Sequence, residues 1–220
     1  MIGIWDDFID NWQVLLKGLL VSIEMAVLAL FFGLILGLAL AIGTMSGRAL
    51  VRSIAIVLVE AGRGAPALVV LQIIYFGLPN VGMTFTGFVT AVIALTLTTG
   101  AYTAEIMRGG LQAVPQGEVE AGEALGMSRA SILRDVVVPQ GLRIAIPPLM
   151  GFAIIIFQAT SLTLYVGGER ELLHTANSLA SQTFNYFNFF FIAAVLYALI
   201  TIPASSLTER VERRMGRHLQ

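Results

Sequence analysis

The feature that most constrains this chain is an uninterrupted apolar run, AVLALFFGLILGLALAIG, at residues 26–43. A helix that crosses a hydrocarbon layer of ~30 Å needs about 20 such residues. Because lipid offers no hydrogen bonds, a chain inside it satisfies its backbone groups internally, as a helix or a closed barrel. Barrel strands alternate polar and apolar residues over about ten positions, whereas this run is apolar throughout. The run therefore predicts a transmembrane helix.

Five stretches of this kind predict an all-α membrane protein with five transmembrane helices in a single domain, residues 1–220. The chain has 57% hydrophobic and 12% charged residues, with a mean hydropathy of +0.84, a composition typical of a protein embedded in lipid. The predicted spans are about 19–43, 54–78, 85–106, 142–166 and 184–204.

Charge and residue usage exclude several functional classes. A net charge of -1 gives no basic field for binding nucleic acid. The absence of cysteine excludes disulfides and thiolate metal sites, and two isolated histidines, His174 and His218, do not predict a metal site. His174 falls in a polar external segment and is expected to be an ordinary solvated residue.

The distribution of lysine and arginine predicts the orientation in the membrane. The N-terminal segment MIGIWDDFIDNW has three acids and no basic residue, unlike a secretory signal, so the first helix is expected to be retained and the N-terminus to lie outside. Lys17 and Arg170 fall in the opposite, external segments. Ten basic residues fall in segments expected to face the cytoplasm, which also places the C-terminus there: Arg48, Arg52, Arg108, Arg129, Arg134, Arg143, Arg210, Arg213, Arg214 and Arg217.

The longest cytoplasmic segment, about 108–140, predicts a helix-turn-helix. A first short helix is expected to begin after Pro115 and to end at Gly126, because glycine readily takes the left-handed conformation that ends helices. Ser128 can cap a second helix, and Pro139 is expected to end it, since proline has no N–H to donate. The alternative is an amphipathic connector that lies on the lipid surface.

The spacing of this segment resembles the EAA loop of ABC importer membrane subunits: Glu-Ala-Ala, three residues, Gly, nine residues, then hydrophobic residues and Pro. Here Glu120, Ala121 and Gly122 are followed at that spacing by Gly126 and Pro139. Gly122 replaces the second alanine, a change that costs up to about 1 kcal/mol of helix propensity. RGAPALVVLQIIYFGLP, TGAYTAEIMRGGLQAVPQG, VVVPQGLRIAIPPL and TSL also resemble, in order, segments of permeases for polar amino acids.

The resemblance implies a type I importer permease of the histidine, glutamine or arginine kind, in a bacterial cytoplasmic membrane. It implies an identical or similar permease as partner, an extracytoplasmic solute-binding protein, and two ATPase subunits that hold ATP and Mg. The substrate it implies is a polar amino acid or related zwitterion. It also implies that the five loop residues just named couple the permease to the ATPase. The chain itself has no G-x-x-x-x-G-K-[ST] loop, so ATP hydrolysis is expected on another subunit and no residue is expected to be catalytic.

Two other functions are alternatives to an importer permease. An ion-coupled secondary transporter of small polar solutes could use charge pairs inside the membrane, but it would not explain the long cytoplasmic loop, and no inverted repeat is evident. An intramembrane hydrolase could use Ser128 in GMSRA as a nucleophile. A nucleophile elbow, however, requires a strand before the serine, so Ser128 is expected to be a helix cap.

Ionisable groups inside the spans are costly and therefore candidates for function. Glu60 and Arg63 lie three positions apart, as do Glu105 and Arg108, so each pair can form on one helix face without a substrate. Pairing is the preferred explanation for Glu105 and Arg108, which lie near the cytoplasmic end. Glu24, in the outer part of the first span, has no evident partner in its helix and can snorkel, face a partner subunit or contact substrate.

Arg63 is expected near the middle of the bilayer, because it lies 11 residues beyond Arg52, a distance of about 16 Å along a helix. The sequence GRGAP around it weakens the helix and would expose backbone groups that only a protein-lined cavity tolerates. A substrate-path role and simple pairing with Glu60 both remain open.

In the fourth span, Gln158, Thr160 and Ser161 fall within one turn and could bind a zwitterion or join neighbouring helices. Related permeases carry a lysine and an acid just before Thr-Ser-Leu, whereas this chain has Gln158 and Ala159. The charge of the substrate therefore cannot be transferred from those relatives.

Overall fold

A computed structural model describes residues 3–166 and 170–216; Arg217 and His218, and the outermost residues of the predicted 1–220 domain, lie outside them. Within that part of the chain all regular structure is helical, which confirms the all-α prediction. The helices are α1 Ile4–Thr44, α2 Ala49–Gly64, α3 Ala67–Gln72, α4 Gly87–Gln112, α5 Gln116–Ala124, α6 Arg129–Ile132, α7 Val138–Ala159, α8 Leu172–Thr183 and α9 Tyr186–Gly216.

Four helical stretches in the described part of the chain are long and apolar enough to cross a membrane. They are α1, α4, α9 and a continuous stretch from Arg129 to Tyr165 that contains α6 and α7. These four coincide with the predicted first, third, fifth and fourth spans. Most of them extend well beyond the apolar stretch that predicted them, because a helix continues into water as long as its backbone bonds are satisfied.

The predicted second span, 54–78, is not one straight helix. It is broken at Ala65 and Pro66, and the helix that follows, Ala67–Val81, is bent by 100° from α2. Pro66 has no N–H and disfavours helical geometry in the residue before it, and Ala65 is extended at φ -88° and ψ 130°. If the bent pair counts as one span, the total is the predicted five.

α4 is the central helix, packed along α1, α2 and α7. Its contact with α1 depends on glycines: a Cβ on Gly33 would lie 2.4 Å from Thr99 Cβ, and one on Gly37 would lie 2.1 Å from Thr103 Oγ1. The hydroxyl of Thr103 also donates to the Gly33 carbonyl at 3.4 Å and to the Thr99 carbonyl at 2.7 Å. Small residues that permit close backbone approach stabilise helix pairs where hydrophobic burial cannot.

Candidate functional site

The loop between α4 and α7 contains the predicted helix-turn-helix. α5 ends in a left-handed residue, Gly126, with φ +74°. The N–H of Met127 donates to the Gly122 carbonyl at 3.1 Å and that of Gly126 to the Glu123 carbonyl at 2.9 Å. This pair of bonds is the Schellman ending of a helix, which satisfies carbonyls that have no partner within it. The prediction that Gly126 closes the first helix is confirmed.

The second helix begins at the predicted cap. Ser128 Oγ accepts a hydrogen bond from the N–H of Ser131 at 3.1 Å, so the serine acts as an N-cap. Ile132, which is buried, packs against Gly122, where an added Cβ would lie 3.0 Å from Ile132 Cγ1. Gly122 therefore replaces the second alanine of the motif at a position where the two short helices press together, while Glu120 and Ala121 are exposed.

The prediction that Pro139 ends the second helix is wrong. A π-helical turn, Leu133–Val137, joins α6 to α7, and Pro139 lies within the first two positions of α7. At that position its missing N–H and fixed φ fit the start of a helical segment, and the π turn takes up the change in hydrogen bonding. The second helix of the helix-turn-helix is therefore continuous with the fourth span.

At the base of the loop, α4 and α7 approach each other backbone to backbone. A Cβ on Gly110 would lie 2.4 Å from the Gly141 carbonyl oxygen, and one on Gly141 would lie 2.6 Å from Leu111 Cα. Both glycines are buried. The two spans on either side of the loop are thus interlocked where they enter it.

Four of the charged side chains form one network rather than two separate pairs. Arg63 Nη1 lies 3.4 Å from Glu60 Oε1 and 3.6 Å from Glu105 Oε2. Arg108 Nε donates to Glu105 Oε1 at 2.8 Å, and its Nη1 donates to Gln112 Oε1 at 2.8 Å. Both predicted i,i+3 pairs are confirmed, and Arg63 joins them across α2 and α4.

The guanidinium of Arg63 reaches toward the loop end of the bundle. It contacts Glu105, which is seven residues from the end of α4, about 10 Å along the helix. The expected depth of Arg63 in the bilayer stays a prediction. Tyr102 Oη donates to the Arg63 carbonyl at 3.2 Å, beside the helix break, and so accounts for one backbone group that the break frees.

A partly open cavity of about 270 Å³ adjoins the network between α1, α2 and α4. Its polar lining comes from Glu60, Glu105, Arg108, Gln112 and Thr44. The paired charges have no net charge, and each of their side chains is at least a quarter exposed. Such a surface can offer both a cation and an anion to a zwitterion of matching size.

The predicted polar turn of the fourth span is formed where α7 passes into a 3-10 turn, Thr160–Tyr165. The hydroxyl of Thr160 donates to the Phe157 carbonyl and that of Ser161 to the Gln158 carbonyl, each at 2.8 Å. These hydroxyls therefore cap their own helix. Thr160 is fully buried, whereas the side chain of Gln158 is exposed and lines a second cavity, of about 390 Å³, between α7 and α9.

Two other candidates lie apart from both sites. Glu24 is exposed on α1 and takes part in none of the ion pairs found among residues 3–166 and 170–216. His174 is not an ordinary solvated residue: it is half-buried, and its Nδ1 is shielded from solvent without a hydrogen-bond partner in that part of the chain. The reason is that α8 packs against α1 and α9 instead of lying free in water.

Sequence reasoning missed the contact between Arg63 and Glu105, the Tyr102 bond and the role of Glu171, a fully buried acid at the start of α8. One signal was available. The free-energy cost of placing charged side chains inside a membrane is lower when they share partners. Two Glu/Arg pairs in neighbouring spans, at similar distances from a loop, therefore favour a single cluster. Nothing in the local sequence distinguishes Glu171 from an exposed helix cap.

Known proteins resemble the chain over nearly its whole length. The family model for the binding-protein-dependent transport system inner membrane component matches residues 29–217. The probable amino-acid ABC transporter permease protein YckA of Bacillus subtilis is 31% identical over 211 residues, covering 96% of this chain and 93% of the relative. The L-cystine transport system permease protein TcyB of the same organism is 35% identical over 209 residues, covering 94% and 89%.

A solved structure has the same fold. The crystal structure of an amino acid ABC transporter with histidines superposes with a TM-score of 0.87 at 33% sequence identity, covering 94% of this chain and 96% of that one. The break between α2 and α3, the helix-turn-helix and the charge network therefore lie within a shared architecture.

Proposed function

Because the chain belongs to the family of binding-protein-dependent transport system inner membrane components, as a permease subunit of an ABC amino-acid importer, we propose a role for its helix-turn-helix. This segment transmits the movement of the ATPase to the transmembrane helices. ATP is hydrolysed by the partner ATPase, and this subunit is not catalytic. The observation that carries the proposal is the unbroken helical path from Arg129 through α7 to Tyr165.

A rigid path of this kind supports a lever mechanism. A force on the exposed Glu120 and Ala121 reaches α6 through the contact between Gly122 and Ile132, and α6 continues into α7. Because Gly110 and Gly141 interlock α4 with α7, both spans would move together. Alternating access then follows as a rigid-body movement of these helices relative to those of the partner permease. Pro139 lies at the start of α7, where the helix-turn-helix joins the fourth span, and is proposed to take part in coupling at this junction.

The partners proposed are two ATPase subunits, one for each helix-turn-helix, an identical or similar permease, and an extracytoplasmic solute-binding protein. Two observations support the pairing. First, α1, α2 and α9 carry large exposed hydrophobic side chains, such as Phe31, Val57 and Leu199, that require lipid or protein as neighbours. Second, the cavities beside Gln158 and Glu105 are open at the side of a single bundle, so a second permease is needed to enclose a passage.

The substrate proposed is a polar amino acid or related zwitterion. The proposed path passes Gln158, with Thr160 and Ser161 shaping its turn, and then the network of Glu60, Arg63, Glu105 and Arg108. A network with equal numbers of cations and anions can exchange partners with an ammonium and a carboxylate, which supports a zwitterion over a singly charged ion. Glu24 is a further candidate on the outer side, supported only by its exposure in a span.

The orientation proposed places the N-terminus outside and the C-terminus and helix-turn-helix in the cytoplasm. The chain has no cysteine, so single cysteines can be introduced at four exposed positions without removing any: Asp10, Ala130, Ser178 and Glu212. A membrane-impermeant maleimide is expected to label Asp10→Cys and Ser178→Cys in intact cells. It should label Ala130→Cys and Glu212→Cys only after permeabilisation.

The same experiment distinguishes a broken span from a re-entrant loop in α2 and α3. If the bent pair re-enters on one side, α4 reverses direction and the helix-turn-helix lies outside, so Ala130→Cys labels in intact cells. That result would contradict the proposal.

The functional test is uptake of labelled L-glutamine, L-histidine, L-arginine and L-cystine into proteoliposomes with the ATPase and the binding protein. Uptake that needs internal ATP supports the proposal, and uptake driven by an ion gradient alone would favour a secondary transporter.

A further inference from the structure

Glu171 is a carboxylate buried completely in a segment that carries no assigned role. It is 0% exposed, immediately before α8, on the external side of the proposed topology. In the described part of the chain it forms no ion pair with lysine, arginine or histidine. A buried carboxylate without a cation is retained only where neutral donors surround it.

The donors around Glu171 come from three elements. The N–H groups of Leu173 and His174 donate to its two oxygens at 2.8 and 2.5 Å, so Glu171 is the N-cap of α8. Tyr197 Oη of α9 donates to Oε2 at 3.1 Å. The hydroxyl of Ser22, on α1, is shared between Glu171 Oε2 at 3.4 Å and the Gly18 carbonyl at 3.3 Å.

Ser22 also accepts a hydrogen bond, from the N–H of Leu172 at 3.2 Å. A close contact reinforces this junction: a Cβ on Gly18 would lie 2.8 Å from Thr175 Oγ1 and 3.1 Å from Leu172 Cα. α8 is therefore fixed to α1 by both packing and hydrogen bonds at its first turn. Burial raises the pKa of the Glu171 carboxyl above its ordinary value, while its four hydrogen bonds act in the opposite direction.

Tyr197 extends the cluster to the fourth span. Its ring packs against Phe157 with the ring centroids 5.3 Å apart, and Phe157 is itself buried. Phe157 directly precedes Gln158, and its carbonyl accepts the hydroxyl of Thr160. The cluster thus reaches the polar turn that the proposed function places beside the substrate path.

We propose that Glu171 is a positioning residue that, through Tyr197 and Phe157, holds the Gln158–Ser161 turn in the geometry that passes substrate. The inference rests on the proposed function, because it takes that turn to line the path. An apolar residue would pack at position 171 without the cost of burying a carboxylate, but it would leave the N–H groups of Leu173 and His174 and the Tyr197 hydroxyl without an acceptor. The carboxylate fixes one arrangement of four elements around the turn.

The test uses the assembled complex of permease, ATPase and binding protein in proteoliposomes. The measured quantity is the amount of solute taken up per ATP hydrolysed, using whichever of the four labelled amino acids the wild-type complex takes up fastest. Tyr197→Phe keeps the ring on Phe157 and removes only the hydroxyl. We expect it to lower this ratio roughly three- to tenfold, the change in an equilibrium that corresponds to one ordinary hydrogen bond. Glu171→Gln should lower the ratio as well, and the double variant should be no worse than the poorer single one.

The matched control is Tyr186→Phe, because Tyr186 lies on the same helix, is exposed and bonds only weakly to Ser181, at 3.5 Å. It should leave the ratio unchanged. If Tyr197→Phe and Glu171→Gln reduce the yield of complex but leave the ratio within twofold of wild type, the role is structural and the inference is wrong. If neither variant assembles and Ser22→Ala does not either, the cluster serves folding, and the inference is again overturned.

The two proposals fail in different ways. Loss of ATP dependence in the wild-type complex removes the proposed function and this inference with it. ATP-dependent uptake in wild type together with an unchanged ratio in Tyr197→Phe removes this inference alone.

Discussion

Arg63 Nη1 lies 3.6 Å from Glu105 Oε2, so one guanidinium connects the end of α2 to a residue near the end of α4. The contact sits beside the break at Pro66, where the Arg63 carbonyl is bonded by Tyr102. Through Glu105 and Arg108 it continues to Gln112, the last residue of α4, four positions before α5 begins. Charged contacts thus run from the broken helix to the loop on which the ATPase is proposed to act.

This relationship predicts that Glu105→Gln harms transport more than Glu60→Gln. Glu105 serves two arginines, whereas the side chain of Glu60 serves one and is 66% exposed. Because all of these groups are partly hydrated, the loss in free energy of unfolding should be about 1 kcal/mol or less for either variant. The uptake rate should fall several-fold for Glu105→Gln alone. Equal uptake rates in the two variants, measured per assembled complex, would argue against a shared network.

Substitution of Gly110 is expected to disturb the close packing of α4 against α7 at the base of the loop. Gly110→Ala places a Cβ 2.4 Å from the Gly141 carbonyl oxygen and forces α4 and α7 apart. We expect a loss of about 1 to 3 kcal/mol in the free energy of unfolding. Thermal denaturation of the purified complex measures this loss. Gly109→Ala is the matched control, because no heavy atom lies within 4 Å of its added Cβ. It should be neutral or stabilising by up to about 1 kcal/mol through helix propensity.

Substitution of Gly126 is expected to strain the backbone of the turn between α5 and α6. At φ +74°, Gly126→Ala should cost about 1 to 2 kcal/mol locally and loosen the junction between α5 and α6. ATP hydrolysis by the complex should then persist with less solute moved per ATP. Gly117→Ala, in the first turn of α5 with open space around it, is the comparison and should behave as wild type. A normal ratio in Gly126→Ala would show that the shape of the turn is unimportant for coupling.

The polar turn of the fourth span predicts a contrast between neighbouring residues. The Gln158 side chain is exposed toward a cavity, while the Ser161 hydroxyl bonds to its own helix. Gln158→Leu should therefore reduce uptake several-fold without a change in assembly. Ser161→Ala removes one hydrogen bond within the turn but keeps the Gln158 side chain, so it should reduce uptake less. Uptake of each labelled amino acid, normalised to the complex present in the vesicles, checks this. A stronger effect of Ser161→Ala would place the substrate path elsewhere.

Much of the fold was accessible from the sequence because lipid imposes simple constraints. The length of apolar runs predicted four of the spans. Gly126 and Ser128 correctly predicted where the first short helix ends and where the second begins. The break of the second span was harder to place, although GRGAP signalled a weak helix, because a proline can kink, break or end a helix depending on its neighbours. Pro139 shows the same limit: a local rule predicted an end where a π turn permits continuity.

The candidate sites were predicted only in part. Spacing of three residues is enough to predict Glu60 with Arg63 and Glu105 with Arg108, since one helix determines that geometry. The contact of Arg63 with Glu105 depends on how two helices pack, and the burial of Glu171 depends on three. Neither follows from spacing within one helix. The environment of His174 was predicted wrongly for the same reason, because it depends on the packing of α8 against α1 and α9.

Charge reversal on the exposed surface of the helix-turn-helix shows whether this segment transmits ATP-driven movement to the spans. The measurement is ATP hydrolysis and solute uptake in the same proteoliposomes for wild type, Glu120→Arg and Glu212→Arg, the last a reversal on the exposed end of α9. We expect Glu120→Arg to abolish most ATP-driven uptake, through loss of ATPase docking or of coupling, and Glu212→Arg to remain near wild type. Normal uptake per ATP in a fully assembled Glu120→Arg complex would contradict this expectation.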